Sequence, residues 1–306
     1  MQIDKREIKK NRILGNWIYY LNNGGGIHGK IKNWKDGDPE REPAFAHVFR
    51  QEVEKGMILF DIGANLGYYS FVAAQIMESD GRIFAFEPDP RNAALLRKGV
   101  RRNEYENIIE ASVLAVSNRP RKTADFHLSH ATNLSSMEKT EHTDKVVNVQ
   151  TTTLSKFAWD KRIVDGNVFI RMDIEGHEVE ALEGAITFLK KGFPCKIFME
   201  VHPQFYSEEH SLEKILVRIL KLDFTTKYVI SAAVSKPDKF LRLGYTPTMV
   251  FDCGRFERGL YDNVIDKDML ELACHEHRQE FSPEMVRKSG EWFTDKIVRS
   301  VLLERK

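Results

Sequence analysis

The sequence predicts an α/β fold built on a mostly parallel sheet. From Met57 onward, short apolar runs alternate with stretches of helical periodicity, the pattern of repeated strand–helix units. One junction is unusually specific. Met57-Ile58-Leu59-Phe60 feeds Asp61-Ile62-Gly63-Ala64-Asn65-Leu66-Gly67, which runs into Tyr68-Tyr69-Ser70-Phe71. That order reads as a buried strand, a glycine turn and a helix start, which brings bare backbone and helix N-terminal amides up to a small ligand. Carboxylates also stand directly behind apolar strands: Glu87 after Arg82–Phe86, Asp173 after Asn167–Met172, and Glu200 after Cys195–Met199.

The elements follow in order. The chain to about Val53 is irregular, with an aromatic run from Leu14 to Tyr20 and a break at Asn22-Asn23-Gly24-Gly25-Gly26. Pro39 and Pro43 bracket the approach to a short helix over Ala44–Glu54, and the whole segment reads as a cap over the glycine turn. Tyr69, Val72, Ala73, Ile76 and Met77 recur at helical spacing after that turn. Asp89-Pro90 supplies an N-cap and a first-turn proline for a helix burying Ala93, Leu96 and Val100. A third strand is expected near Ile108–Val116. Between Arg119 and Thr153 the alternation lapses, and Thr123–Leu128 with Val146–Thr152 reads as an inserted hairpin joined by the polar stretch His130–Asp144. The fourth strand, Asn167–Met172, precedes a helix striped by Val179, Leu182, Ile186 and Leu189 and ended by Gly192. The fifth is Cys195–Met199, followed by a helix that Ser211 caps, with Leu212, Ile215, Leu216 and Ile219 inward. Tyr228–Val234 and Thr248–Asp252 are expected as the last strands, and Phe256–Lys306 as a charged helical segment serving as a lid or dimer surface. The expected division is a cap over residues 1–55, a core over 56–254 with the insertion at about 119–153, and a helical C-terminal extension over 255–306.

Composition narrows the partners. Lysine plus arginine number 46 against 45 aspartate plus glutamate, so no global field favours nucleic acid or a membrane surface. No basic stripe with interleaved aromatics is present, which argues against nucleic-acid binding. Cys195, Cys253 and Cys274 are isolated from one another and lack metal-ligand spacing, as expected of a reducing compartment. The polar start Met1-Gln2-Ile3-Asp4-Lys5-Arg6 lacks an apolar signal core, and no run is long enough to span a bilayer. These features predict a soluble cytoplasmic protein.

The glycine turn selects among nucleoside ligands. A dinucleotide fingerprint needs three glycines so that pyrophosphate can touch backbone. Starting that template at Gly63 places Asn65 and Tyr68 at the other two positions, where both side chains would crowd a pyrophosphate, so a nicotinamide enzyme is disfavoured. There is no phosphate-loop motif either. A nucleoside without pyrophosphate fits better, and S-adenosylmethionine is one, with Glu87 placed to take both ribose hydroxyls.

The second group of candidates is Asp173-Ile174-Glu175-Gly176-His177-Glu178 with Glu200-Val201-His202-Pro203. In an open parallel sheet, residues just past the carboxyl ends of strands line the ligand crevice. Glu175 and Glu178 have an alternative role in favouring a helix N-terminus, and His202 as a structural histidine. His275-Glu276-His277 reads as a surface feature, because residues two apart do not face the same way on a helix.

Taken together, Asp61–Ser70, Ala85-Phe86-Glu87-Pro88-Asp89-Pro90, Thr153-Leu154, Asp173–Glu178 and Glu200-Val201-His202 resemble the FkbM family of S-adenosylmethionine-dependent methyltransferases, over about Met57–His202. The family usually carries lysine two positions before the aspartate, where this chain has Arg171. Arginine keeps its proton, so that position loses a candidate base and retains an electrostatic role. The resemblance implies a Rossmann-like class I methyltransferase fold, with a seven-stranded sheet whose last strand is antiparallel. It implies cofactor contacts at Asp61, Gly63, Ala64, Asn65, Gly67, Tyr69, Glu87 and Pro88, with Ala115, Val116 and Ser117 flanking the adenine. The expected activity is O-methylation of a sugar, glycan or natural-product small molecule. His202 is the first choice of base, Asp173 orients the acceptor or the histidine, and Glu175 and Glu200 bind hydroxyls. Asp173, Glu200 and His202 also have the chemistry to hold a hard cation such as Mg²⁺, which would lower the acceptor pKa. The alternative is a non-catalytic S-adenosylmethionine-binding scaffold of the same fold, with homo-oligomerisation through the C-terminal helices.

Overall fold

The computed structural model describes residues 4–35, 38, 40–129, 131, 134–139, 143–254, 256–277 and 296–306. The chain forms two compact units, Met1–Asp38 with Val53–Lys191, and Pro39–Glu52 with Gly192–Lys306. Pro39, the positions 130, 132–133 and 140–142 of the polar stretch His130–Asp144, and residues 278–295 of the expected helical extension lie outside the described residues.

The first unit opens with the antiparallel pair β1 (Ile8–Ile13) and β2 (Asn16–Leu21), then α1 (Ile27–Asn33). The next helix, α2 (Pro43–Glu52), belongs to the second unit. A parallel sheet follows, from β3 (Ile58–Ile62), α3 (Tyr68–Met77), β4 (Arg82–Phe86), α4 (Pro90–Arg102) and β5 (Ile109–Ser112). β6 (Ala115–Val116), β7 (Arg121–Leu128) and β8 (Lys145–Thr152) make a separate three-stranded sheet in the order β6-β8-β7. α5 (Leu154–Asp160), β9 (Val168–Met172) and α6 (Glu178–Leu189) complete the unit. β3 is central, parallel to β4 on one side and β9 on the other, and β4 is parallel to β5. Buried on both faces, β3, β4 and β9 read as near-continuous apolar runs, as parallel strands do. Phe60, Phe84 and Phe86 stack along the sheet, and Phe157 of α5 meets Phe86 edge-on at 4.7 Å.

The N-terminal pair is tied to this unit by paired polar groups. Trp17 N donates to Asn103 Oδ1 at 2.8 Å, while Asn103 Nδ2 returns a bond to Trp17 O at 3.0 Å. Farther along, Trp34 lies 6.3 Å from Tyr68, the first residue of α3. The N-terminal segment therefore runs beside the helix that the glycine turn starts.

The second unit contains α2, β10 (Cys195–Glu200), α7 (Leu212–Leu220), β11 (Thr225–Ser231), α8 (Asp238–Arg242), β12 (Met249–Asp252), β13 (Glu257–Tyr261), α9 (Asp266–Ala273) and β14 (Val298–Arg305). Its strands lie in the order β12-β13-β11-β14-β10. β14 runs antiparallel to both β10 and β11, so an antiparallel last strand is present.

That strand corrects the expected helical tail. Thr248–Asp252 was the expected final strand, yet it forms only the short edge strand β12, and the C-terminal segment supplies β13, α9 and β14. Val301, Leu302 and Leu303 are fully buried. The flanking charges that made the segment look like a solvated helix are satisfied inside the unit. Glu304 meets Lys227 at 3.0 Å, and Arg305 donates from Nη2 to Phe193 O at 2.8 Å while stacking on Phe224. A second correction concerns Ile108–Val116, which splits into β5 and β6 in different sheets. Among the described residues, no helix is long and apolar enough to cross a membrane.

Gly184 fastens α6 to the insertion sheet. A Cβ there would lie 2.1 Å from Ser117 O, a backbone atom that cannot move away without displacing β6. Gly184→Ala should therefore destabilise the protein by roughly 1–3 kcal/mol, the usual range for overpacking, read as a lowered urea midpoint with an unchanged slope. An unaltered midpoint would mean that helix and sheet are not held this closely.

Candidate functional site

The site of the first unit is built on the carboxyl ends of three neighbouring strands. β3 ends at Ile62, β4 at Phe86 and β9 at Met172, and the parallel register aligns Asp61 with Ala85 on one side and Arg171 on the other. The next residues of each strand therefore emerge side by side: Gly63, Glu87 and Asp173.

The turn after β3 needs glycine for two reasons. Gly63 has φ +82°, and a Cβ on it would lie 2.1 Å from Asp173 O. Its amide and that of Ala64 both donate to Phe86 O, at 3.0 and 2.9 Å. Asn65 also adopts a left-handed conformation, φ +51°, which asparagine tolerates better than most residues. Gly67 then N-caps α3.

Glu87 joins this turn to the next loop. Asn65 N donates to its Oε2 at 2.8 Å, and Asp89 N donates to its Oε1 at 2.9 Å. Asp89 in turn N-caps α4 ahead of Pro90, accepting from Arg91 N at 2.9 Å. Pro88 is the half-buried link between the two acids. Burial, reinforced by the nearby Asp89 carboxylate, pushes the Glu87 carboxyl from 4.5 up to about 8. A buried carboxyl of this kind, flanked by a glycine turn, suits neutral hydroxyl donors such as those of a ribose.

Asp61 has a different environment. It is fully buried; Ser70 Oγ donates to its Oδ2 at 2.5 Å, and Arg171 Nη1 lies 3.2 Å from its Oδ1. Its visible work is to fix the start of α3. Arg171 also donates from Nη1 to Gly63 O at 2.9 Å and from Nη2 to Asp173 Oδ2 at 2.8 Å, and its guanidinium stacks 4.8 Å over Tyr69. One cation thus spans two carboxylates and the turn carbonyl, a task suited to the planar donor fork of arginine. Tyr69 and Ala64 are each 5% exposed, so both are mostly enclosed by protein.

Behind Asp173 the chain doubles back. Glu175 and Gly176 have φ +52° and +103°, and Gly176 N donates to Glu178 Oε1 at 3.1 Å. Glu178 is fully buried at the N-terminus of α6, which is the helix-start role that its position suggested. His177, given no role by sequence reasoning, bonds Glu138 Oε1 through Nδ1 at 2.9 Å and Ser117 Oγ through Nε2 at 3.0 Å. Glu180 Oε2 is a further 3.4 Å neighbour of Nδ1. The sequence placed His177 in the candidate window but not its partners, because Glu138 and Ser117 are 39 and 60 residues away. Ala115 and Val116 belong to β6, and Ala115 packs into an apolar cluster with Phe126, Leu128 and Val149.

Glu200 and His202 lie in the second unit, at the end of β10 and just beyond it. His202 Nε2 is 3.1 Å from Glu200 Oε1, and both side chains are nearly fully buried. Glu200 also meets Lys296 at 3.0 Å and Arg299. Burial alone would raise this carboxyl, but Arg299, Lys296 and His202 hold it well below the ordinary carboxylate value. Arg299 bridges onward to Glu42 at 2.8 Å; burial raises that carboxyl too, and Arg41 with Arg299 outweighs it to leave about 2.

Residues 61–226 match the model of the methyltransferase FkbM domain. The hexuronic acid methyltransferase AglP of Haloferax volcanii is 26% identical over 210 residues, which is 64% of this chain and 79% of that protein. Among solved structures, the methyltransferase FkbM from Methylobacillus flagellatus aligns at 21% identity with a TM-score of 0.32, over 48% of this chain and 33% of its own. A SAM-dependent O-methyltransferase from Thermotoga maritima aligns at 10% identity with a TM-score of 0.37, over 97% of this chain and 77% of its own.

The raised carboxyl of Glu87 carries a pH signature. A folded-state value above the unfolded one means that the protonated group favours folding; this contribution is complete below about 4.5 and is lost as pH rises towards about 8. Glu87→Gln, always neutral, should therefore gain stability relative to the unsubstituted protein between about pH 5 and about pH 8, compared through urea midpoints. A difference that stays constant across that window would refute the assigned environment.

Proposed function

The chain belongs to the FkbM methyltransferase family, and from that premise we propose that it transfers a methyl group from S-adenosylmethionine to a hydroxyl of a sugar, glycan or natural-product small molecule. The single observation that carries the cofactor reading is the Glu87 carboxyl gripping the Asn65 amide beside a glycine turn that has no room for a Cβ. The sugar preference is supported by the similarity to AglP, a hexuronic acid methyltransferase.

S-adenosylmethionine, when bound, supplies an electrophilic methyl carbon on a sulfonium. Glu87 would accept the ribose hydroxyls, and the 63–67 turn would follow the amino-acid arm. Arg171 orders Asp61 and Asp173 through its hydrogen bonds rather than acting as a base, since a guanidinium retains its proton. Asp173, partly exposed just past the end of β9, would accept a hydrogen bond from the acceptor and orient it, with Glu175 as a second hydroxyl partner. The candidate base of the second unit, His202, faces the Glu200 carboxylate with Nε2, which leaves Nδ1 as the atom that would take a proton. Glu200 serves better as the anchor of His202 than as a metal ligand, because Lys296 and Arg299 already neutralise it. That favours transfer without a divalent cation, and activity that survives a chelator would agree.

The test is a labelled-methyl assay over hexuronic acids, neutral sugars and polyketide alcohols. Asp173→Asn should lower turnover by about 100-fold or more, as expected for loss of an orienting contact, while calorimetry shows S-adenosylmethionine affinity within a few-fold of the starting protein. Full activity in the variant would remove Asp173 from the acceptor site, and absence of label transfer to any class would overturn the hydroxyl-acceptor reading.

A further inference from the structure

The insertion between β6 and α5 grips the loop behind Asp173 at two points two residues apart. Ser136 is 1% exposed and pairs by backbone with His127 of β7, accepting at 2.8 Å and donating at 3.0 Å. Its hydroxyl donates to Glu175 O at 2.7 Å, with Ile174 O at 3.3 Å, and accepts from Glu138 N at 3.0 Å. Glu138 then reaches His177 Nδ1 at 2.9 Å, and the opposite ring nitrogen meets Ser117 Oγ at 3.0 Å. The carbonyl caught by Ser136 belongs to Glu175, a non-glycine residue at φ +52° followed by Gly176 at φ +103°. A left-handed glutamate is disfavoured on its own and persists where its surroundings hold it.

We propose that Ser136 and Glu138 are positioning residues for methyl transfer: the insertion sets the backbone of residues 173–177, and through it the direction in which Asp173 and Glu175 face an acceptor. This rests on the reading that Asp173 and Glu175 meet the acceptor. The insertion is then not a decoration of the fold. Arg171 on β9 holds the Asp173 side chain itself, whereas the insertion holds the backbone and ring that follow it. Ser136 fixes carbonyls and Glu138 fixes the ring two residues on, so the loop is pinned at both ends of its left-handed pair. Neither side chain needs to touch cofactor or acceptor to do this.

The experiment compares Ser136→Ala, Ser136→Thr and Glu138→Gln in the full-length protein. Hydrogen exchange followed by mass spectrometry should show about tenfold or faster exchange in peptides covering 173–178 for Ser136→Ala, with peptides covering 58–72 unchanged. Ser136→Thr, which keeps the hydroxyl, should restore protection. S-adenosylmethionine affinity should stay within about twofold by calorimetry while turnover in the labelled-methyl assay falls about tenfold or more. Unchanged exchange at 173–178, or loosening that spreads through 58–72 with parallel loss of cofactor affinity, would overturn the proposal. Retained turnover in Ser136→Ala alongside a dead Asp173→Asn would reject the positioning role alone. An active Asp173→Asn would instead reject the acceptor reading on which it rests.

Discussion

The buried guanidinium of Arg171 organises the strand ends of the first unit. It touches Asp61 on β3, the carbonyl of Gly63 in the turn and Asp173 after β9, and it lies flat on Tyr69 of α3. Two carboxylates so near each other would repel in a medium of low dielectric, and an unpaired buried charge is costly. The single cation removes both problems while specifying a geometry, because a planar fork makes several directional bonds at once. The strand register puts Asp61 and Arg171 opposite each other, so the ion network and the sheet enforce the same alignment. The family's usual lysine could neutralise the same charges as a point charge, but it could not make this many fixed bonds.

Electrostatic context then separates acids of the same type into distinct tasks. Glu87 accepts two backbone amides yet lies beside another carboxylate, so it is poised to take neutral donors. Glu200 is just as buried but carries Lys296 and Arg299, so it remains an anion and can hold His202. Glu178 is consumed by its own helix start. Three buried glutamates of one chain thus differ: one is a raised carboxyl that binds two amides, one an anchored anion and one part of a helix start. Burial alone does not predict which; the neighbouring charges and amides do.

Much of this was legible in the sequence where the signals are local. The strand–turn–helix at Asp61–Phe71, the acid behind β4, the Asp89-Pro90 cap and the acid behind β9 follow from patterns within a few residues, and the structure has these elements there. Features set by distant partners were not legible. β14 lay inside the segment read as charged helix, whereas the partners of its charges Arg299, Glu304 and Arg305, namely Glu42, Lys227 and the Phe193 carbonyl, come from far along the chain. The third strand was drawn through Ala115 and Val116 because apolar continuity does not reveal a change of sheet. His177 stood in the candidate window without a role of its own, and Ser136 was passed over, for the same reason: a histidine or serine acquires meaning only from what faces it.

The central claim is that the Gly63 turn and Glu87 form the seat of an adenosine-type methyl donor. A crystal structure of the full-length protein with S-adenosylhomocysteine tests it most directly. Both ribose hydroxyls should lie within hydrogen-bonding distance of the Glu87 carboxyl, with the amino-acid arm along residues 63–67. A ribose held elsewhere, with Glu87 still bonded only to the Asn65 and Asp89 amides, would contradict it.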